Sequence, residues 1–191
     1  MIKPNNYDAV KTSDEFEKIQ AGGHYMEIKK LAERKNKNGG DMIVIAFDFD
    51  MRDKQEGYFS KQFLDDVRPD KKWPYAGTQY INVVDTRTGD CSRNFKSFCT
   101  CVEHSNPGFT IDWEAKDFGK QFAGKKIGGV FGSVENEYNG KVTMRTQLRW
   151  FCNYKDAAGA KVPEPRLLPN EQPAAVTAPA PATVTDEDLP F

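Results

Sequence analysis

The strongest constraint on the fold is an alternation of side chains with a period of two between residues 42 and 49. A period of two is typical of a β-strand with one buried face, because successive side chains point to opposite sides of a sheet. One predicted face carries Ile43, Ile45, Phe47 and Phe49, and the other carries Met42, Val44, Ala46 and Asp48. The alternation therefore predicts a sheet protein with a well-defined core.

Four further segments have the composition of strands. Gly22-Gly23 precedes the first of them, and the basic loop 34–40 separates it from the strand at 42–49. Asn139-Gly140 is a strong signal for a tight hairpin turn between the last two. The predicted strands cover residues 24–32, 42–49, 58–64, 126–138 and 141–154.

A helix interrupts these strands at residues 93–103. Apolar side chains recur there at the spacing of one helical face, and Ser92 is a suitable N-cap. That face consists of Phe95, Phe98, Cys99 and Val102. Residues 65–90, which contain Pro69, Pro74 and Gly77, are predicted to be a long irregular connection.

Three strands, a helix and a two-stranded hairpin are the element order of an oligonucleotide-binding (OB) fold, a five-stranded barrel with its helix between strands three and four. An irregular β-sandwich would give a similar string of elements. The predicted fold class is mainly β. The predicted OB-fold domain spans residues 1–162, and a disordered C-terminal tail follows it.

The charge of the chain is unevenly distributed. There are 27 Lys and Arg residues against 28 Asp and Glu residues, but four of the acids and none of the bases lie after Pro169. A basic body with an acidic tail is typical of nucleic-acid-binding proteins. The first six residues lack the apolar core of a signal peptide and no apolar run is long enough to cross a membrane, so we expect a cytoplasmic protein.

The C-terminus has two distinct parts. Residues 163–185 are rich in proline and alanine and contain no aromatic residue, which predicts a flexible linker. The tip that follows is Asp186, Glu187, Asp188, Leu189, Pro190 and Phe191. A partner with an apolar pocket and a basic rim would bind the phenylalanine ring and the carboxylates together. The simpler alternative is an acidic tail that only improves solubility.

This tip resembles the C-terminal tip of bacterial single-stranded DNA-binding proteins, which is an acidic run followed by Ile-Pro-Phe; here Leu189 replaces the isoleucine and Glu187 replaces an aspartate. The body, over residues 20–168, resembles a family of phage and prophage proteins encoded among replication and recombination genes. The shared motifs are Ala21-Gly22-Gly23, Tyr58-Phe59-Ser60-Lys61-Gln62, Lys72-Trp73-Pro74, Phe95-Lys96, Ser105-Asn106-Pro107-Gly108 and Gly128-Gly129-Val130-Phe131-Gly132.

Together these resemblances imply a phage single-stranded DNA-binding protein without enzymatic activity or cofactor. It would act in DNA replication, recombination and repair in an infected or lysogenic bacterial cell, and recruit host or phage proteins through its tip. The sequence is also compatible with a homo-oligomer. A recombination mediator that anneals strands is an alternative.

Single-strand binding requires cations along the phosphates and aromatic faces on which bases stack. Both occur together in the predicted third strand, the long connection, the first loop and the last strand. The candidate residues are Arg34, Lys35, Tyr58, Phe59, Lys61, Lys71, Lys72, Trp73, Arg145 and Arg149. For Phe59, Phe63 and Trp150, the alternative to a contact with DNA is a position in the core.

Two metal sites are weaker alternatives. Asp48, Asp50 and Asp53 could hold Mg²⁺ in a nuclease, although a solvated strand end is the simpler and preferred explanation of these residues. A zinc site is the second alternative, but its spacing does not match a zinc knuckle. Its ligands would be Cys91, Cys99, Cys101 and His104.

Overall fold

The computed structural model describes residues 2–5, 7 and 17–169, and the described chain is mainly β. Its five strands are β1 (Gly22–Lys35), β2 (Asp41–Phe49), β3 (Thr78–Asn82), β4 (Lys126–Tyr138) and β5 (Lys141–Cys152). Its two α-helices are α1 (Tyr58–Asp65) and α2 (Arg93–Ser105), and short 3₁₀ helices cover Tyr75–Gly77, Phe118–Phe122 and Tyr154–Gly159. Neither α-helix, nor any other described helical segment, has the length and apolar character needed to span a membrane.

The strands form one antiparallel sheet in the order β3-β2-β1-β4-β5. β1 lies at the centre and carries a bulge between Ile28 and Lys30, which increases the local twist of the sheet. Among the described strands, β3 and β5 do not pair with each other. The sheet therefore has an open seam between these two edges.

The core lies on one face of this sheet, beneath α2. In β2 the alternation places Ile43, Ile45 and Phe47 inward as predicted. The predicted apolar face of helix α2 is buried in the same core, and Ser92 Oγ accepts the backbone N–H of Phe95 at 3.2 Å as an N-cap. The position of this helix between the third and fourth strands is confirmed.

The prediction of a third strand at residues 58–64 was wrong, because these residues form α1. Gly57 turns the chain with φ 65°, and no local side chain caps the helix. Instead, the carboxylate of Asp48 in β2 accepts the backbone N–H groups of Phe59 at 2.9 Å and Ser60 at 3.1 Å. This cap comes from a residue distant in sequence, so local β-propensity gave the wrong element. The third strand is β3, inside the connection predicted to be irregular.

The β4–β5 hairpin turns at Asn139 and Gly140, whose φ values of 52° and 72° match the predicted tight turn. Its register shifts by one residue, so that Leu148 pairs with Phe131 but Trp150 pairs with Val130. Arg149 is the extra residue of this bulge. Trp150 consequently faces away from the core and is 48% exposed, so the alternative of a core position does not hold for it.

The beginning of the predicted linker lies against the domain. Arg166 forms a parallel bridge with Val134 in β4. Its N–H donates to Ser133 O at 2.9 Å, and its carbonyl accepts from Glu135 N at 2.8 Å. The remainder of the linker from residue 170, and the whole predicted tip at 186–191, lie outside the described residues.

Candidate nucleic-acid interface

The outer face of β1, β2 and β3 is a three-stranded surface opposite the core. Directly paired residues share a face of a sheet, so the pairing of β1 with β2 and of β2 with β3 places one residue from each strand in a row. Three such rows cross this surface. All nine are exposed or half-buried, whereas the apolar residues between them, Leu31, Ile43, Ile45 and Ile81, are buried. We call this surface the open face, and it consists of Lys30, Ala46 and Thr78; Ala32, Val44 and Tyr80; and Arg34, Met42 and Asn82.

The open face combines cations with an apolar floor. Lys30 and Arg34 are both exposed on β1, four residues apart on the same side of the strand. Val44 lies in the row between them and Met42 pairs with Arg34, and both apolar side chains are half-buried. Such a surface suits a strand of nucleic acid, since the cations attract phosphates and the floor accepts sugars and bases.

Two tyrosines form an aromatic ridge along β3. Tyr75 is 75% exposed and Tyr80 is 49% exposed. Their ring centroids lie 6.5 Å apart with an interplanar angle of 32°. Exposed rings held at this spacing offer faces for base stacking.

The ridge is held in place by packing behind it. The indole N–H of Trp73 donates to Gly77 O at 3.0 Å, across the 3₁₀ helix that carries Tyr75. A Cβ atom at Gly77 would lie 2.7 Å from Phe59 Cγ and 2.8 Å from Trp73 Nε1, so only glycine fits there. The predicted stacking residue Trp73 thus is a half-buried support for Tyr75.

The seam between β3 and β5 opens beside this ridge as a cleft of about 280 Å³. Gln79 extends from β3 and Gln147 from β5, and both are half-buried. Neither side-chain amide forms a hydrogen bond within the described chain, and both are open to solvent, because no buried side-chain N or O atom there lacks a partner. The cleft is lined by Tyr75, Ala76, Thr78, Gln79, Tyr80, Gln147 and Leu148.

Several predicted site residues lie at or near this region. Arg34 is on the open face, and Arg145 is exposed on β5, two residues before Gln147. Lys72 is exposed on the segment that leads to Trp73. Arg149, in the bulge of β5, has a structural role instead: its guanidinium donates to Glu164 O at 3.2 Å and so holds the start of the predicted linker.

Other predicted site residues lie elsewhere or have a structural role. Phe59 is completely buried, and Tyr58 is buried with its hydroxyl donating to Glu17 O at 2.7 Å. Neither ring offers a face to a base, because α1 directs both into the core. Lys61 donates to Glu56 O at 2.8 Å, and Lys71 Nζ lies 4.8 Å from the ring centroid of Phe63. Lys35 forms a 2.6 Å surface ion pair with Asp41.

Tyr80 and Lys30 were not among the predicted site residues. The signal for Tyr80 was present, since residues 78–82 alternate with a period of two and Ile81 is the buried member. It was hidden inside a connection that contains two prolines. Lys30 was obscured by the β1 bulge, which shifts its side chain relative to a regular alternation.

The three aspartates considered as a Mg²⁺ site each have protein partners. Asp48 caps α1, Asp50 Oδ2 lies 2.5 Å from Lys126 Nζ, and Asp53 Oδ1 lies 3.0 Å from His24 Nδ1. They belong to three separate clusters. The residues that the structure describes contain no group of three His, Cys, Asp or Glu side chains placed to hold a metal ion.

These clusters affect the acidity of their carboxyl groups. Burial raises the pKa of Asp50, but the hydrogen bonds from Lys126 and from the Arg52 N–H outweigh it and leave the pKa below its ordinary value. Burial also opposes ionisation of Asp53, yet its hydrogen bonds with His24 and the Gln55 N–H give a lowered pKa. Both carboxylates are therefore stabilised as ionised structural groups.

The cysteines considered as zinc ligands do not form a cluster. Burial raises the pKa of the Cys99 thiol to about 12, and burial also raises the pKa of Cys101. Cys91 is exposed. A zinc ligand must be a thiolate, so the environment of Cys99 favours the protonated form of an ordinary core residue.

The chain was also compared with known proteins. No model of a known protein family matches it, and no curated protein matches it significantly.

Proposed function

We propose that this protein binds single-stranded DNA across the open face and the tyrosine ridge. The observation that carries the proposal is that Tyr80 shares the sheet face opposite the core with Lys30 and Arg34, while the ring of Tyr75 lies 6.5 Å from that of Tyr80. Cations that follow a backbone and rings that stack bases are what sequence-tolerant single-strand binding requires. Lys72, on the segment before Tyr75, and Arg145, on β5, add exposed positive charge.

The proposed architecture is an OB fold. That fold is a partly open five-stranded Greek-key barrel, and it binds oligonucleotides on the face of strands two and three. Here β1 is flanked by β2 and β4, α2 follows β3, and the edges of β3 and β5 border the same cleft. This arrangement supports an OB barrel whose seam is open, with the open face in the position of the ligand-binding surface.

The proposal includes recruitment of other proteins by the C-terminal tip at 186–191. Its support is chemical: the three carboxylates of Asp186, Glu187 and Asp188 precede Leu-Pro-Phe. A basic pocket with an apolar floor would recognise the ring and the charges together. The partners we propose are host or phage replication and recombination proteins, and the cellular site is the bacterial cytoplasm.

A titration with a labelled thymidine oligonucleotide tests DNA binding directly. We expect Tyr80→Ala to weaken binding by about 1–3 kcal/mol, because base–aromatic stacking contributes that amount per base. Trp113→Ala is the matched control, since Trp113 is an exposed ring that packs on Phe118 at 5.5 Å and borders Glu33 and Asp41 instead of cations. Equal effects of the two substitutions, or no binding at low salt, would contradict the proposal.

A further inference from the structure

The seam between β3 and β5 has the properties of a binding site for a planar polar group. Two half-buried amides, Gln79 and Gln147, reach it from opposite strands. Each amide offers an acceptor oxygen and an NH₂ donor, and neither is satisfied within the described residues. No buried side-chain N or O atom of the described residues lacks a partner, so both amides are open to solvent. They are therefore available to a ligand that carries both donors and acceptors.

The size and walls of the cleft narrow the class of ligand. Its volume of about 280 Å³ is slightly below the ~300 Å³ at which pockets for drug-sized molecules begin, so it suits one ring system. Tyr75 and Tyr80 border it with aromatic surface, while Leu148 closes the inner end towards the core. A flat ring with polar edges fits these walls.

The charge distribution excludes a phosphate as the group inside the cleft. None of the seven lining residues is charged. Arg145 lies two positions before Gln147 on the same side of β5, about 6.6 Å along the strand. A phosphate beside Arg145 would place the attached base at the mouth of the cleft.

We propose that the seam is a nucleobase slot, in which one base of the bound strand leaves the stack and pairs through its polar edge with Gln79 and Gln147. This inference rests on the proposed single-strand binding and adds a contact to the base itself. Since glutamine amides can rotate to present either donor or acceptor, the slot accepts any of the four bases. Bases are commonly recognised by proteins when unstacked and hydrogen-bonded along this edge.

The test compares two oligonucleotides of equal length, one of thymidines and one whose residues are abasic. Wild-type protein should bind the thymidine strand more tightly. The double variant Gln79→Leu, Gln147→Leu keeps the side-chain size but removes the amides. We expect about a tenfold loss of affinity for the thymidine strand and no change for the abasic strand, because each lost hydrogen bond weakens binding severalfold.

Asn94→Leu is the control, since it makes the same chemical change at an exposed amide on α2. Thermal unfolding of each variant establishes that the fold is retained. An equal loss on both oligonucleotides, or no loss on either, would overturn the base slot while leaving single-strand binding intact. Failure of the wild-type protein to bind either strand would overturn the proposed function as well, so the two failures are distinguishable.

Discussion

The carboxylate of Asp48 in β2 accepts the backbone N–H of Phe59 at 2.9 Å and thereby fixes the start of α1. The same carboxylate also accepts from the N–H and the hydroxyl of Ser60. Asp48 is almost completely buried. A buried anion at a helix N-terminus is favourable because it satisfies unpaired N–H groups and interacts with the helix dipole.

Replacing Asp48 with alanine should therefore lower the free energy of unfolding by about 2–3 kcal/mol, as expected for lost hydrogen bonds to a charged cap. Asp48→Asn should cost less, because the amide oxygen can still accept one N–H. Urea unfolding followed by circular dichroism measures both. If Asp48→Ala left stability unchanged but abolished a Mg²⁺-dependent activity, the structural role assigned to Asp48 would be wrong.

Gly77→Ala should destabilise the protein by about 1–3 kcal/mol, because the new methyl group would overlap Phe59 and Trp73. It should also weaken DNA binding, since the 3₁₀ helix at Tyr75–Gly77 positions the ridge. Gly159→Ala is the matched control, because a Cβ there meets nothing within 4 Å and stability should be unchanged or slightly higher. Thermal melts and oligonucleotide titrations of both variants check this, and equal behaviour would contradict it.

DNA affinity should decrease steeply with salt. With phosphate contacts from Lys30, Arg34, Lys72 and Arg145, affinity should fall roughly 50-fold between about 50 mM and 200 mM salt, because each contact to a single strand adds about −0.7 to the logarithmic slope. Lys30→Ala or Arg34→Ala should each reduce that slope by about 0.7. Lys116→Ala, an exposed cation elsewhere, should not change it. Anisotropy titrations at several salt concentrations give the slopes.

Stability should fall in acid through the buried aspartates. The folded-state pKa of Asp53 is below its ordinary value of 3.8, as is that of Asp50. In the folded state these groups bind protons less readily than in the unfolded chain, so their contribution is complete above that value and is lost as pH falls through the lower folded pKa. Urea midpoints measured between about pH 6 and pH 2 should decrease at the acid end.

Asp53→Asn should be less stable at neutral pH and lose less stability in acid than wild type, because the titrating carboxylate that contacts His24 is already absent. Asp90→Asn, at an exposed aspartate, is the control and should follow the wild-type profile. Identical acid profiles for wild type and Asp53→Asn would count against this role.

Deleting residues 186–191 should leave DNA affinity unchanged or raise it, because the removed charges are negative. The same deletion should abolish binding of replication and recombination proteins to the immobilised chain. Phe191→Ala separates the ring from the charges: if the ring occupies a partner's pocket, this substitution alone should greatly weaken recruitment. Recruitment that persists without the tip would refute the proposed role.

Local sequence patterns were sufficient where neighbouring residues determine the element. The alternation in β2 requires only that Ile43 and Ile45 avoid water, and the apolar spacing of α2 with the Ser92 cap is equally local. The hairpin turn at Asn139-Gly140 follows from backbone conformations that these two residues adopt readily. The composition of the C-terminal tip likewise gave its proposed chemistry without any structure.

The candidate site depended on contacts that no local pattern contains. Aromatic residues at 58–59 favour a strand by propensity, but capping by Asp48 makes them the start of a helix and buries both rings. The bulge at Arg149 turns Trp150 away from the core. In each case a distant strand overrides the local preference.

The sequence by itself determined that this chain forms a β-rich domain with an acidic tip that ends in phenylalanine, because burial periodicity and charge are readable residue by residue. Only the tertiary structure decided which rings are available to a ligand. Phe59 became core, while Tyr80 came to share a sheet face with Lys30 and Arg34 and to lie next to Tyr75. The physical reason is that strand register and order depend on pairing between segments far apart in the chain, and a shift of one residue reverses which face a side chain occupies.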